Sequence, residues 1–206
     1  MKNPLASQGG FTLIEMVTII VMISILSMII LANTQTGNRR QQLRDAAEDY
    51  VSAAKHAESL ASGSQAVADP DLGGQKTSRK AYGVCITSSQ IANSKCANPS
   101  GQTADTYQVY ARDLDETALS VEASLTSPPT EPEIISTFKL PQDYSFLITD
   151  VWLDYVPPTP AMFVNGLSSN RQVIIAYKDL TLTECAGNRD CRYIQVKPLA
   201  GAVYVQ

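Results

Sequence analysis

The feature that most constrains this chain is an apolar run of 22 residues, from Phe11 to Ala32, close to the N-terminus. A helix of that length spans roughly 33 Å, at about 1.5 Å per residue, which matches the hydrocarbon core of a bilayer. The apolar core of a conventional secretory signal is shorter, about 7–15 residues, and small residues at a cleavage site follow it. The run therefore predicts a membrane-spanning helix.

One carboxylate, that of Glu15, stands inside the apolar run. A charged carboxylate costs at least about 2–3 kcal/mol near the bilayer centre and less near its edge. Because Glu15 is only four residues from Phe11, we expect it to lie near the edge. A cut between Gly10 and Phe11 would create an α-amino cation one helical turn from Glu15. In a bundle of such helices, Glu15 of one copy can then pair with the amine of a neighbour.

The stretch GGFTLIE at residues 9–15, with the apolar run that follows it, resembles the class III signal of type IV prepilins and type II secretion pseudopilins. The resemblance implies cleavage after Gly10 by a prepilin peptidase and N-methylation of Phe11. It also implies that the apolar helices pack into a filament core, with Glu15 setting their register. The implied partners are other pilin or pseudopilin subunits, the peptidase and an inner-membrane assembly platform.

The charges on either side of the apolar run bear on its orientation. Lys2 precedes the run, whereas Arg39, Arg40 and Arg44 follow it, so the positive-inside rule taken alone favours a cytoplasmic C-terminal part. The cysteines that follow favour an oxidising compartment instead. We therefore expect a single pass through the inner membrane before assembly, and a periplasmic or cell-surface filament afterwards.

The helical pattern continues beyond the membrane segment. Apolar or small residues recur every three or four positions, as they do on one face of a helix. They are Leu43, Ala46, Ala47, Tyr50, Val51, Ala54, Ala57 and Leu60. The sequence Ser62-Gly63-Ser64 then predicts the helix end. We expect this stripe to lie against a sheet.

Strand-like runs begin near residue 81. They are rich in Val, Ile, Tyr, Phe or Thr, and several alternate between apolar and polar residues. The runs cover residues 81–87, 106–114, 134–140, 144–156, 161–165, 171–180 and 192–206. Pro128-Pro129, Pro157-Pro158 and Asn165-Gly166 mark turns between them. Residues 62–80 are rich in Gly, Ser and Asp and predict a long loop.

These patterns together predict an α+β fold, in which a long N-terminal helix with a transmembrane half and an amphipathic half packs on an antiparallel β domain. The predicted organisation is a cleaved leader at residues 1–10, a long helix at 11–62 with its transmembrane part at 11–32, and a β-rich globular domain at 63–206.

The order of a long helix followed only by strands resembles the GspH/FimT-type minor pilins and pseudopilins. In that family a β-rich domain closes with a hairpin whose turn holds a glycine, here Gly201. The leading hypothesis is a structural subunit, a minor pilin or pseudopilin, of a type IV pilus-like filament. The alternative is a filament-tip subunit that binds DNA for uptake or binds a surface. A membrane-anchored enzyme is a third hypothesis.

The charge balance gives no electrostatic reason to expect nucleic acid as the main partner, since the formal net charge is −4. Removing Lys2 with the leader leaves 15 basic side chains against 20 acidic ones, a net charge of −5. The basic residues near the C-terminus are interspersed with acidic ones. They are Arg171, Lys178, Arg189, Arg192 and Lys197.

The four cysteines are Cys85, Cys96, Cys185 and Cys191. An even number in an exported domain favours disulfides, and the sequence permits three connectivities. Two local pairs are the simplest arrangement, because each closes a short loop. A four-cysteine zinc site is the alternative, although the usual spacing of two to four residues between ligand cysteines is absent.

No set of residues in the sequence forms a catalytic constellation, a phosphate loop or a metal-binding histidine pair. The single histidine, His56, falls on the predicted helix and is expected at the surface or the edge of the core. Acidic clusters at Asp69/Asp71 and at residues 113–116 suit either solvated loops or calcium, without EF-hand spacing. We expect no enzyme activity, no cofactor and no metal.

Overall fold

The computed structural model places one long helix before a domain of antiparallel sheets. The structure describes residues 12–63, 67–68, 77–78, 80–86, 105–114, 125, 132–147, 151–157, 161–167 and 169–206. The chain divides into two compact units, residues 1–40 and residues 41–206, and helix α1, Leu13–Gly63, contributes to both.

The part of α1 in the second unit buries one face. Its buried residues recur at intervals of three and four, and most of them are alanines, whose small side chains let a helix approach a sheet closely. They are Leu43, Ala46, Ala47, Tyr50, Ala53, Ala54, Ala57 and Ala61. The predicted stripe is confirmed, with Ala53 and Ala61 as additional members. Val51 and Leu60 lie at its partly buried margin.

Eleven strands are described after the helix. They are β1 Val67–Ala68, β2 Thr77–Ser78, β3 Lys80–Ile86, β4 Thr106–Asp113, β5 Glu133–Lys139, β6 Tyr144–Phe146, β7 Trp152–Val156, β8 Ala161–Val164, β9 Arg171–Tyr177, β10 Cys191–Lys197 and β11 Ala202–Val205. Strands β1 and β2 pair with each other within the stretch predicted as a loop, so that prediction was wrong in detail.

The larger sheet has the order β5-β4-β3-β7-β8 and is antiparallel throughout. The smaller sheet has the order β11-β10-β9-β6 and is also antiparallel. Side chains of both sheets, such as Val84, Leu153 and Ile175, share one apolar cluster with the buried face of α1. The Tyr50 ring lies in that cluster, with ring centroids 5.3 Å from Tyr107 and 5.8 Å from Phe146.

Two turns have the backbone geometry that their residues favour. Asn165 and Gly166 both have positive φ, 52° and 72°, while Val164 and Leu167 exchange two backbone hydrogen bonds around them. This is the two-residue hairpin turn that an Asn-Gly pair favours. The C-terminal hairpin of β10 and β11 turns through a short 3-10 helix, Pro198–Ala200, and Gly201 in the left-handed conformation.

The predicted α+β fold with a long N-terminal helix and an antiparallel β domain is confirmed. One strand prediction was wrong, because residues 144–156 form two strands rather than one. Strand β6 pairs with β9 in the smaller sheet, whereas β7 pairs with β3 in the larger sheet. A continuous apolar run cannot show by itself where a chain leaves one sheet for another.

Candidate functional site

The candidate site begins at the first turn of α1, where Thr12 and Glu15 bond reciprocally. Glu15 Oε2 accepts hydrogen bonds from the Thr12 backbone N–H and from Thr12 Oγ1, both at 2.9 Å. The Glu15 N–H in turn donates to Thr12 Oγ1 at 3.3 Å. This is a capping box, which satisfies backbone donors that a helix start leaves unpaired. The capping box was not predicted, although the Thr-x-x-Glu spacing of residues 12–15 is its signal in the sequence.

The apolar part of α1 that follows is exposed on every side. The segment Leu13–Leu31 is long and apolar enough to cross a membrane, and none of it is buried within the chain. Its large apolar side chains range from 43 % exposed at Ile19 to 83 % exposed at Leu13. In water so much exposed apolar surface would be unfavourable, which is consistent with a helix that crosses a membrane.

The hydroxyl groups within this segment are satisfied by the helix itself. Thr18, Ser24 and Ser27 donate to backbone carbonyl groups three or four residues earlier, at 2.8–2.9 Å. Such bonds let a hydroxyl group lie in a hydrocarbon environment without a partner from another molecule. Glu15 is the one acidic side chain within Leu13–Leu31, at the segment's N-terminal end.

The predicted processing site falls at the border of what the structure describes. Gly10 and Phe11 lie outside the described residues, so their predicted cleavage and methylation stay predictions. Thr12 is the first described residue, and α1 begins at Leu13. Glu15 therefore lies in the first turn of the helix, and its position near the edge of a bilayer stays a prediction.

The cysteines form disulfides rather than a metal site. Cys185 and Cys191 are bonded to each other, with Cα atoms 5.6 Å apart, across the loop between β9 and β10. Cys85 is also disulfide-bonded, and Cys96, the one other cysteine in the chain, lies outside the described residues. The zinc alternative is therefore wrong, because thiolates joined in a disulfide do not bind the metal.

A buried polar row that was not predicted from the sequence crosses the larger sheet. Gly83 of β3 stands directly between Tyr110 of β4 and Asp154 of β7. Tyr110 donates its hydroxyl hydrogen to Asp154 Oδ1 at 2.6 Å, and an Arg112 guanidinium nitrogen lies 2.7 Å from Asp154 Oδ2. A Cβ atom at Gly83 would collide with the Leu153 carbonyl oxygen and come within 2.9 Å of the Tyr110 ring and hydroxyl.

The surroundings of this row raise the pKa values of Asp154 and Tyr110. Burial raises the pKa of Asp154 to about 6, although the Arg112 charge and the hydrogen bond from Tyr110 oppose the rise. Burial, together with the Asp154 charge, raises the pKa of Tyr110 well above its usual value, so this hydroxyl remains a donor. Asp154 is fully buried and Arg112 is 8 % exposed, so the row is enclosed and suits a structural role rather than substrate binding.

Within the part of the chain that the structure describes, the other candidate ligands are not brought together. Among the described residues, no three His, Cys, Asp or Glu side chains form a group that could hold a metal ion. His56 is exposed on α1, and Asp113 is exposed at the end of β4. Asp69, Asp71, Asp115 and Glu116 lie outside the described residues, so the calcium alternative is untested there.

The basic residues near the C-terminus are partly exposed and partly engaged in local hydrogen bonds. Arg171, Lys178 and Arg189 are exposed. Arg192 donates to the carbonyl groups of Arg189 and Cys191, at 3.3 and 3.2 Å. These two hydrogen bonds hold the Arg192 guanidinium against the backbone of the disulfide loop.

Comparisons with known proteins leave the family open. No protein-family model, no curated protein and no solved structure matches this chain. What the chain does must therefore be inferred from its own residues, chiefly from the capped, exposed apolar helix and the motif at its start.

Proposed function

We propose that this chain is a structural subunit, a minor pilin or pseudopilin, of a type IV pilus-like filament. It is inserted in the inner membrane through its apolar helix and cut after Gly10 by a prepilin peptidase. It then joins other subunits through that same helix. In this role the chain is a substrate of the peptidase rather than an enzyme.

The observation that carries the proposal is the sequence GGFTLIE at the start of a helix whose first 19 residues, Leu13–Leu31, are predominantly apolar and unburied. A plain membrane anchor explains the exposed apolar surface, but it does not explain the glycine pair, the phenylalanine or the carboxylate. A filament subunit uses all of them. The glycine precedes the cut, the phenylalanine becomes the new terminus, and the apolar surface is covered first by lipid and then by neighbouring helices.

The capping box adds a constraint on how Glu15 serves assembly. Its Oε2 atom is engaged by Thr12 of the same chain. A carboxylate has a second oxygen with its own lone pairs, so the Oε1 atom can accept a hydrogen bond from the terminal amine of a neighbour. The intrachain cap would hold the side chain in a fixed rotamer, which reduces the entropy lost when the second bond forms.

Processing is the most direct test. The full chain is co-expressed with a prepilin peptidase, and the N-terminus is determined by intact-protein mass spectrometry. The parent is expected to lose its first ten residues and gain one methyl group, whereas Gly10→Val keeps the leader. The matched control is Gly37→Ala, which changes a glycine beyond the membrane segment and should be processed like the parent. Cleavage of Gly10→Val at the parent's rate would overturn the proposal.

A further inference from the structure

The turn that follows β8 contains the one Asn-Gly pair in the sequence, Asn165 and Gly166. Such a pair is prone to spontaneous deamidation, because glycine has no side chain to hinder its backbone nitrogen. That nitrogen attacks the side-chain carbonyl carbon of the asparagine, Cγ, and a five-membered succinimide ring forms as the side-chain nitrogen leaves as ammonia with the glycine N–H proton. Water then opens the ring to aspartate or isoaspartate, so the overall reaction takes up one water molecule and releases one ammonia.

Two hydrogen bonds hold Asn165 against Trp152 of the neighbouring strand. The Asn165 N–H donates to the Trp152 carbonyl oxygen, and Asn165 Oδ1 accepts from the Trp152 N–H, both at 2.9 Å. Leu153 of β7 pairs with Val164 of β8, so these bonds extend the ladder by one residue, with the Asn165 side chain in place of a backbone carbonyl. The side-chain amide is therefore part of the sheet, and its Cγ atom is held in one position.

The backbone of the turn keeps the attacking nitrogen away from Cγ. Asn165 and Gly166 have positive φ, 52° and 72°, and Val164 and Leu167 exchange backbone hydrogen bonds at 2.8 and 2.9 Å. In this turn type the ψ of the first central residue is near about +30°, which places the following nitrogen nearly opposite Cβ across the Cα–C bond. Ring closure needs that nitrogen and Cβ on the same side of the bond. The turn therefore has to open before the reaction can occur.

We propose that Asn165 is a latent deamidation site, which the folded turn holds unreactive and which becomes reactive when this edge of the larger sheet opens. Strand β8 is the last strand of that sheet, and edge elements open more readily than central ones. The inference concerns the β domain and does not rest on filament assembly, so it and the proposal on Gly10 can fail separately.

The two products of the reaction differ in their effect on the turn. Aspartate keeps an oxygen that accepts the hydrogen bond from the Trp152 N–H. Isoaspartate leads the main chain through the former side-chain carbon, which adds one methylene group to a two-residue turn, so the two hydrogen bonds between Val164 and Leu167 no longer fit. A chain that has formed isoaspartate cannot restore this turn, and the modification thus records past opening of the sheet edge.

Deamidation of the purified full chain in native and denaturing solution tests the proposal. The disulfide-bonded protein in neutral detergent is incubated at one mildly alkaline pH, with or without guanidinium chloride. Mass spectrometry of the tryptic peptide 140–171 then follows the conversion of Asn165. We expect the native protein to react at least about tenfold more slowly than the denatured protein. Asn170, which is exposed, lies in the same peptide and precedes Arg171, is the reference for slow deamidation.

A pair of proline variants separates opening of the turn from other effects. Leu167→Pro removes the N–H that donates to the Val164 carbonyl oxygen and should raise the native rate at Asn165 toward the denatured rate. Leu182→Pro, at another exposed leucine in the loop between β9 and β10, is the matched control and should react like the parent. Circular dichroism shows whether each variant is folded.

Three results would overturn the proposal. The first is an equal rate at Asn165 in the native and the denatured parent. The second is a rate at Asn165 no faster than that at Asn170 after denaturation. The third is an unchanged native rate in a folded Leu167→Pro variant. If Leu167→Pro does not fold, the comparison of the parent in the two solutions decides alone.

Discussion

The two parts of helix α1 both carry apolar residues but have opposite relations to the rest of the chain. Within Leu13–Leu31 the apolar side chains point in all directions and every one is exposed. Between Leu43 and Ala61 they form one stripe and are buried in the core of the β domain. The part with a single apolar stripe is thus covered by its own chain, whereas the part that is apolar all round is not.

The comparison also shows what each part needs from outside. A striped helix is completed by a sheet of the same chain, so its stability is an internal property of the domain. An apolar helix exposed on all sides has no such complement and depends on lipid or on other helices. Mutations in the striped part should therefore change the free energy of unfolding of the domain, whereas mutations in the exposed part should change assembly.

The largest expected effect is on domain stability, from Tyr50→Ala in the striped part. Tyr50 is fully buried and contacts the rings of Tyr107 and Phe146, so its truncation should leave a cavity and lower the free energy of unfolding by about 3–5 kcal/mol. Ile25→Ala, in the exposed part, should change it by less than about 0.5 kcal/mol. Fluorescence of Trp152, the single tryptophan, reports unfolding of the domain in detergent.

A milder change at the same position sharpens this test. The Tyr50 hydroxyl is buried and has no hydrogen-bond partner among the described residues. Tyr50→Phe should therefore keep the stability within about 1 kcal/mol of the parent or raise it, since it removes an unsatisfied polar group. A loss as large as that of Tyr50→Ala would show that the hydroxyl has a partner and that ring packing is not the main contribution.

The next effect depends on pH and concerns Asp154, which is buried in the domain. Its pKa is raised from 3.8 to about 6, so the folded state holds a proton that the unfolded state has lost between those pH values. The contribution of the group to stability is therefore complete below about pH 4 and falls as the pH rises through about 6. A rise of the pKa from 3.8 to about 6 corresponds to roughly 3 kcal/mol of stability.

The Asp154→Asn variant isolates this contribution, since it cannot titrate. Denaturation at a series of pH values should show the parent losing stability relative to the variant between pH 4 and pH 6. A constant difference across that window would mean that the Arg112 and Tyr110 contacts outweigh burial and keep the carboxylate ionised.

The smallest effect on stability, but a decisive one for assembly, concerns the start of the exposed part. Glu15→Gln keeps an oxygen that can complete the capping box but removes the charge, whereas Thr12→Ala keeps the charge and removes the cap. Thr12→Ala should destabilise the first turn by about 1 kcal/mol, measurable as faster amide exchange there.

Filament incorporation distinguishes the two roles of Glu15. Glu15→Gln and Glu15→Ala should both be cleaved normally yet incorporate poorly, because each lacks the anion that pairs with a neighbour's amine. Thr12→Ala should incorporate better than either. Normal incorporation of Glu15→Gln, measured as the fraction of subunits in sheared filaments, would show that only the capping function matters.

Much of the fold could be predicted from the sequence because periodicity is a local property. The stripe on α1, the Asn165-Gly166 turn and most strand boundaries follow from residue spacing. The division of residues 144–156 between two sheets could not be predicted, since it depends on which distant strand each half pairs with.

The sites show the same limit. The Thr12–Glu15 capping box lies within four residues and was predictable from spacing. The row of Gly83, Tyr110 and Asp154 joins three strands far apart in sequence. The sequence gives two local signals for this row. The glycine inside one apolar strand indicates that another group approaches the backbone closely, and the aspartate inside another strand indicates that a buried carboxylate needs a partner. Neither signal identifies the residues on the other strands.

The edge strand β5 has a consequence for aggregation. It exposes Ile134, Ile135 and Phe138, a combination that normally invites a foreign strand to add to a sheet. The register with β4 shifts so that Ile135 is a bulge, and the charged residues Glu133 and Lys139 lie at the two ends of the strand. Bulges and charges both make an edge a poor template for strand addition. A chain that is proposed to polymerise through its helix thus has a sheet edge that resists a second, amyloid-like route of polymerisation.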